Sequence, residues 1–286
     1  MSRRNRISAG LLIAFAAVGS SWAYAAKPRA PKLPEELRLS AEPGKQIYKT
    51  ESGGYAEGQF AVYVPKAYSA DTPMPLVVSS HGSGGNGPGE IGEWEPLADQ
   101  YAFLVVCPSY ACAAAGRNTN TEKTAQLRQD AVTLDEVLRR VLGSFNVDRK
   151  HVMHTGFSGG GNPTYYLAMT RPEIFTALCF RSANYHGTMF FATRDFSAWR
   201  NRPVYIFWGE QDNEIIIKPM PGHAPEGPAG LLFLQQIGCQ NLKHEILPGG
   251  GHASRADLAA KWFAKEVVPV VEKPKKRRRP SAASSE

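Results

Sequence analysis

Hydrophobic and polar positions change their rhythm along this chain of 286 residues. Gln59 to Val64 alternates polar and apolar residues, the period of two that predicts a half-exposed strand. Ile47 to Thr50 is placed to pair with it across the Gly53-Gly54 turn region. Beyond them, Leu76 to Val78, Ala102 to Val106, Val152 to His154, Leu178 to Phe180 and Val204 to Trp208 form short, mostly apolar runs. Lys243 to Leu247 adds a last strand-like segment. Such runs suit the interior of a parallel sheet covered on both faces. Helical stretches lie between them. The clearest puts Leu127, Ala131, Leu134, Leu138, Val141 and Leu142 on one stripe, leaves Arg128, Asp135, Glu136 and Arg139 off it, and stops at Gly143. Pro163 to Thr170 and Ser254 to Glu266 are two more. Strand–helix alternation of this kind predicts an α/β fold, a mainly parallel sheet with helices on both faces, whose site forms outside the carboxyl ends of the strands. No internal repeat divides the chain, and one domain over 26–271 accounts for the pattern.

The two ends stand apart from that body. Arg3, Arg4 and Arg6 precede an apolar run from Ala9 to Val18 and the small-residue site Ala23-Tyr24-Ala25. This order reads as a secretory signal peptide over 1–25, cleaved after Ala25. As a membrane anchor the run is short, since a spanning helix needs about 20 apolar residues. The expectation is therefore a secreted or periplasmic protein with no stable membrane insertion after cleavage. Residues 272–286 carry Lys273, Lys275, Lys276 and Arg277 to Arg279 with no large apolar residue, and predict a disordered basic tail. Composition then changes meaning. Three arginines sit in the leader, and six cations face two glutamates in the tail. The formal charge of +7 therefore belongs to the ends, and the body shows no nucleic-acid footprint. Cys107, Cys112, Cys179 and Cys239 are an even set, and an oxidising compartment permits disulfides among them.

Chemistry concentrates at strand ends. His154-Thr155-Gly156-Phe157-Ser158-Gly159-Gly160-Gly161 contains G-x-S-x-G between a predicted strand and a predicted helix. Glycines are needed there because a serine on a sharp strand-to-helix turn is strained and crowded by its neighbours. Ser158 is the expected nucleophile. Its base must follow it in the order serine, acid, histidine. His252, in a Gly-rich loop after the last strand, fits that place better than His186 or His223. Gly209-Glu210-Gln211-Asp212-Asn213-Glu214 offers three carboxylates after the strand Val204 to Trp208. Asp212 is favoured, with Glu210 and Glu214 as the other two candidates. His81-Gly82-Ser83-Gly84-Gly85 follows another strand and can turn a backbone N–H towards an oxyanion. The expected donors are Ser83, with Gly82 and Gly84 as neighbours, and Gly159. His81 is expected to brace that loop. No G-K-[ST] follows the loop, so it is not read as a phosphate cradle. Trp94, Tyr110, Tyr185, Phe190, Phe191 and Trp199 are candidate pocket walls, with 184–199 a place for a lid.

His-Gly-Ser-Gly-Gly, then Trp94 to Cys107, then Val147-Asp148-Arg149, then Gly-Phe-Ser-Gly-Gly-Gly resemble the polyhydroxybutyrate depolymerase and feruloyl esterase group. They are also similar to the prolyl oligopeptidase-like esterases. The resemblance spans Phe60 to Val267 and implies an α/β-hydrolase fold with Ser158, Asp212 and His252 as a triad. The acid loop departs from it, reading Trp-Gly-Glu-Gln-Asp in place of His-Gly-x-x-Asp, as does the Gly-Gly-Gly before His252. The implied function is hydrolysis of a carboxylic ester, small or polymeric, through an acyl-enzyme and without a cofactor. A non-catalytic binding protein on the same scaffold and a prolyl-peptidase-like enzyme are the alternatives.

Overall fold

The computed structural model describes residues 33–269 apart from 115–119, 188–194 and 220–223, with the side chains of 120 and 121 also left aside. The predicted leader, tail and part of the predicted lid lie outside the described residues. Eight strands form one sheet: β1 (Gly44–Lys49), β2 (Gln59–Val64), β3 (Met74–Ser80), β4 (Leu104–Pro108), β5 (Val147–Phe157), β6 (Ala177–Arg181), β7 (Val204–Gly209) and β8 (Leu242–Leu247). Their order is β1-β2-β4-β3-β5-β6-β7-β8. β1, β2 and β4 pair antiparallel, and every other neighbouring pair is parallel.

Helices α1 (Gly87–Glu90), α2 (Glu95–Tyr101), α3 (Ala111–Ala114), α4 (Asn120–Ser144), α5 (Gly161–Pro163), α6 (Glu214–Ile217), α7 (Glu226–Gln236) and α8 (Ala256–Trp262) connect the strands. Period-two alternation divides each apolar run between two cores. Leu76, Val78, Leu178, Phe180 and Ile206 face a core closed by Leu134 and Leu138 of α4, Tyr165 beyond α5 and Leu234 of α7. Val77, Val105, Cys179 and Phe207 face the other, closed by Ala98 of α2 and Ala259 and Trp262 of α8. This double coverage is why the central strands carry mostly apolar runs rather than a strict alternation.

Several elements differ from their sequence pattern. β2 is buried along nearly its whole length rather than half exposed. Ala61 and Tyr63, which look like an open face, pack into the second core beside Trp94 and Ala98. β4 begins at Leu104 because Ala102 adopts a left-handed φ of 57° that ends α2. α4 runs past Gly143 to Ser144. No disulfide joins the cysteines: all four are free thiols, with Cys107, Cys112 and Cys179 buried.

Candidate active site

The loops after β3, β5, β6, β7 and β8 leave the same edge of the parallel sheet, and they carry Ser83, Ser158, Asn184, Asp212 and His252 in turn. That is the crevice where open α/β sheets place their ligands. Ser158 follows β5 directly, and its φ of 49° is left-handed. A side chain there is strained, a state that persists only where the surroundings enforce it. The flanking glycines show the enforcement. A Cβ on Gly156 would stand 2.1 Å from the Gly160 carbonyl, and one on Gly160 would stand 2.5 Å from the Ser80 carbonyl. The elbow is packed backbone against backbone. The Asn184 N–H donates to the Ser158 carbonyl at 2.8 Å and fastens it from the β6 side.

Asp212 and His252 meet as the chain order predicts. His252 Nδ1 and Asp212 Oδ1 are 2.6 Å apart. Asp212 also accepts from the backbone N–H groups of Asn213 at 2.7 Å and Gly209 at 3.2 Å. Burial opposes its charge, but hydrogen bonds from His252, Ser182 and Asn213 outweigh it and hold the carboxyl below the ordinary carboxylate range. The other two candidate acids lie elsewhere. Glu210 accepts from the Gly249 N–H at 2.9 Å, bracing the loop before His252, and Glu214 pairs with Lys218. The Phe157 ring, one residue before the elbow, lies 4.9 Å from the imidazole. No hydrogen bond joins Ser158 to His252. Instead Ser158 Oγ donates to Asn184 Oδ1 at 3.5 Å. Serine–histidine bonds in unliganded hydrolases are often long and tighten when substrate binds.

The loop after β3 lies against the elbow. A Cβ on Gly159 would be 3.2 Å from the Ser83 nitrogen, so the two backbone segments face one another closely. The Gly84 N–H donates to Ala114 at the end of α3 and the Gly85 N–H to Gly82, so both already have partners. His81 is buried, and its Nδ1 donates to the Gly82 carbonyl at 2.8 Å. Its Nε2 accepts from the Tyr110 N–H at 2.9 Å. Those two bonds require the neutral ring, and burial lowers its pKa accordingly. An open cleft beside this loop is lined by His81, Ser83, Asn86, Glu90 and Phe157 among others.

Below the site lies a buried ion pair that the sequence reading missed. Arg181, at the end of β6, donates through Nη2 to Glu90 Oε1 at 2.7 Å and Ser79 Oγ at 3.0 Å. Its Nε reaches Thr155 Oγ1 at 3.0 Å, and its Nη1 reaches Ser254, two residues beyond His252. Glu90 Oε1 also accepts from Ser79 Oγ and Trp94 Nε1. An arginine ending an otherwise apolar strand was the one local signal of this network. Beside Ser158 stands a second group that the reading missed, Asn184, Glu226, His186 and Lys123, linked by contacts of 2.7 to 3.8 Å. Of the predicted pocket aromatics, Trp94, Tyr110 and Trp199 are fully buried core residues instead. Trp94 packs under the Arg181 guanidinium, Tyr110 stacks on His154, and the Trp199 indole donates to Met169. Tyr185 lies beside Asn184 and stacks on Phe233, while Phe190, Phe191 and His223 fall outside the described residues. Among the described residues no cluster of three or more His, Cys, Asp or Glu is arranged to hold a metal ion.

Comparison with known proteins fits this geometry. The chain is 25% identical over 144 residues to acetylxylan esterase A of Aspergillus awamori, covering 49% of this chain and 47% of that one. It is 29% identical over 119 residues to feruloyl esterase B of Neurospora crassa, 40% of each chain. It thus spans about half the length, or less, of these relatives. Among solved structures, a poly(3-hydroxybutyrate) depolymerase from Bordetella parapertussis superposes with a TM-score of 0.55 and 21% identity over 80% of this chain and 92% of that one. A ferulic acid esterase from Anaeromyces mucronatus gives 0.57 and 16% over 81% and 94%. The fold is that of the α/β-hydrolases. No protein-family model matches the sequence. The α/β-hydrolase sheet has its predicted parallel centre and helices on both faces, and the expected likeness to depolymerases and feruloyl esterases is found.

Proposed function

We propose that this α/β-hydrolase is a serine carboxylic-ester hydrolase in which Ser158, His252 and Asp212 act as one unit. The observation that carries the reading is the 2.6 Å pairing of His252 with Asp212 beside a strained serine elbow. Asp212 holds the imidazole with Nδ1 protonated, which leaves Nε2 free to take a proton. Ser158 Oγ attacks the ester carbonyl carbon and its proton passes to Nε2. The carbonyl oxygen becomes an oxyanion facing the Ser83 and Gly159 N–H groups. Collapse expels the alcohol, which takes the proton from His252, and an acyl-enzyme remains. Water then repeats the sequence, with His252 as base, and releases the acid. The residues supply every proton and the nucleophile, so the steps as written call for no cofactor. The esterase relatives favour a substrate that is a polyhydroxyalkanoate, a feruloyl or acetyl ester of a polysaccharide, or a small ester. The leader favours export, with the mature chain starting at Ala26, which N-terminal sequencing of native material checks.

A fluorophosphonate probe tests the reading. Wild-type protein is expected to be labelled and Ser158→Ala not, and a panel of p-nitrophenyl, feruloyl, acetyl-xylan and hydroxyalkanoate esters then identifies the substrate. Ser158→Ala and His252→Ala should each lower kcat by ~10⁶, and the double variant by no more, because members of one unit do not contribute independently. A double variant far slower than either single one contradicts the unit. Absence of labelling in the wild type would point to a binding protein on this scaffold.

A further inference from the structure

The hydroxyl of Ser158 faces an amide whose orientation is not free. Asn184 Oδ1 is 3.5 Å from Ser158 Oγ, while Asn184 Nδ2 donates to Glu226 Oε2 at 2.7 Å. The same Oε2 accepts from the Tyr185 backbone N–H at 3.0 Å, so the carboxylate is fixed against β6's following loop from the start of α7. Its second oxygen lies 3.8 Å from His186 Nε2, which in turn is 2.7 Å from the buried Lys123 ammonium. A carboxylate can only accept, so the donor end of the Asn184 amide must point at Glu226 and the acceptor end at Ser158.

We propose that Glu226 is a positioning residue for the nucleophile, locking the Asn184 amide so that only an acceptor faces Ser158 Oγ; this rests on Ser158 being the nucleophile. In the resting enzyme that acceptor holds the serine proton and leaves the Oγ lone pairs unengaged. When a substrate binds, the proton turns to His252. Without the carboxylate the amide can rotate by half a turn and present its NH2 to Oγ. A donor there engages a lone pair and weakens the attack. The Lys123 cation behind His186 keeps the partly buried carboxylate from standing as an isolated charge.

The rate constant for fluorophosphonate labelling of Ser158, together with kcat and KM on a small p-nitrophenyl ester, reads this directly. Glu226→Ala is expected to slow labelling and lower kcat about tenfold, the worth of one ordinary hydrogen bond, with KM nearly unchanged, whereas Asn184→Leu, which can turn no donor towards Oγ, is expected to label near the wild-type rate. Glu226→Gln is expected to restore most of the rate, since its Oε1 still accepts from Asn184 and Tyr185. A purely structural Glu226 would lower the melting temperature without this split between alanine and glutamine. Glu226→Ala labelling at the wild-type rate, or Glu226→Gln as slow as Glu226→Ala in folded protein, overturns the proposal. Either result would leave Ser158 as nucleophile, whereas a wild type that does not label at all removes the reading on which the proposal rests.

Discussion

Glu90→Leu would leave the Arg181 guanidinium without its counter-charge in a place water does not reach. The side chain of Arg181 is 0% exposed and that of Glu90 6%, so solvent does not screen the pair. Breaking a buried, hydrogen-bonded ion pair by removing one partner costs about 3–5 kcal/mol, because the remaining charge stays desolvated. Trp94 Nε1 and Ser79 Oγ lose an acceptor as well. Replacing both charges at once is a different perturbation, since apolar groups of similar volume avoid the desolvation cost, and the result is often neutral. The expectation is that Glu90→Leu and Arg181→Met each destabilise by about 3–5 kcal/mol while the double variant falls within roughly 2 kcal/mol of wild type. Urea unfolding followed by tryptophan fluorescence, with Trp94 inside the network, measures all four corners of the cycle at constant m. Because Arg181 also holds Ser254, each single variant should lower kcat through a loosened His252 loop. A loss below about 1 kcal/mol in Glu90→Leu, or a double variant equal to the sum of the singles, would refute the reasoning.

Four further outcomes follow from the site and the core. Asp212→Asn should lower kcat by about 10⁴ through the wrong imidazole tautomer, and Glu210→Gln only slightly; a crippling Glu210→Gln would move the acid role. Since the Asp212 carboxyl is held below its unfolded value, its stabilisation is full above about pH 4 and is lost as pH falls through the lower native value. Melting temperatures of wild type and Asp212→Asn should therefore converge only in acid. Burial pushes the thiols of Cys112 and Cys179 up to about 12, so a thiol reagent should react with these two only after unfolding, and a reductant should leave the melting temperature unchanged. Gly160→Ala would drive a Cβ to 2.5 Å from the Ser80 carbonyl and 2.6 Å from that of His81, and should destabilise by about 1–3 kcal/mol or more, measurable in the same unfolding assay.

The strands' positions along the chain and the strand-end loops that carry Ser158, Asp212 and His252 were legible because each signal is local. A glycine-flanked serine, an acid loop and a Gly-rich histidine loop each sit directly after a strand, and the fold fixes their order. β2 misled because Ala61 and Tyr63 alternate with Phe60, Val62 and Val64, yet both bury against α2. Which of the candidate aromatics are core, as Trp94, Tyr110 and Trp199 are, was not legible because aromatic rings carry no mark of whether they face a cleft or a core. Asn184 with Glu226, and Arg181 with Glu90, were illegible for a different reason. Their partners lie 42 and 91 residues apart, and only the sheet brings them together. A single sequence holds no trace of such pairing beyond the oddity of a charge at the end of an apolar strand.

The left-handed backbone at Ser158 has a bearing on how this protein can be improved. Glycine takes a φ of 49° without the cost that serine bears there, and strain of this sort is worth about 1–3 kcal/mol. Ser158→Gly is therefore a candidate for the most stabilising single change near the crevice, and it removes the hydroxyl proposed to attack the ester. A library selected for thermal resistance alone would drift towards that inert variant. Any selection for robustness in this protein has to be coupled to turnover, because at this one position the chain is held to its chemistry against its own conformational preference.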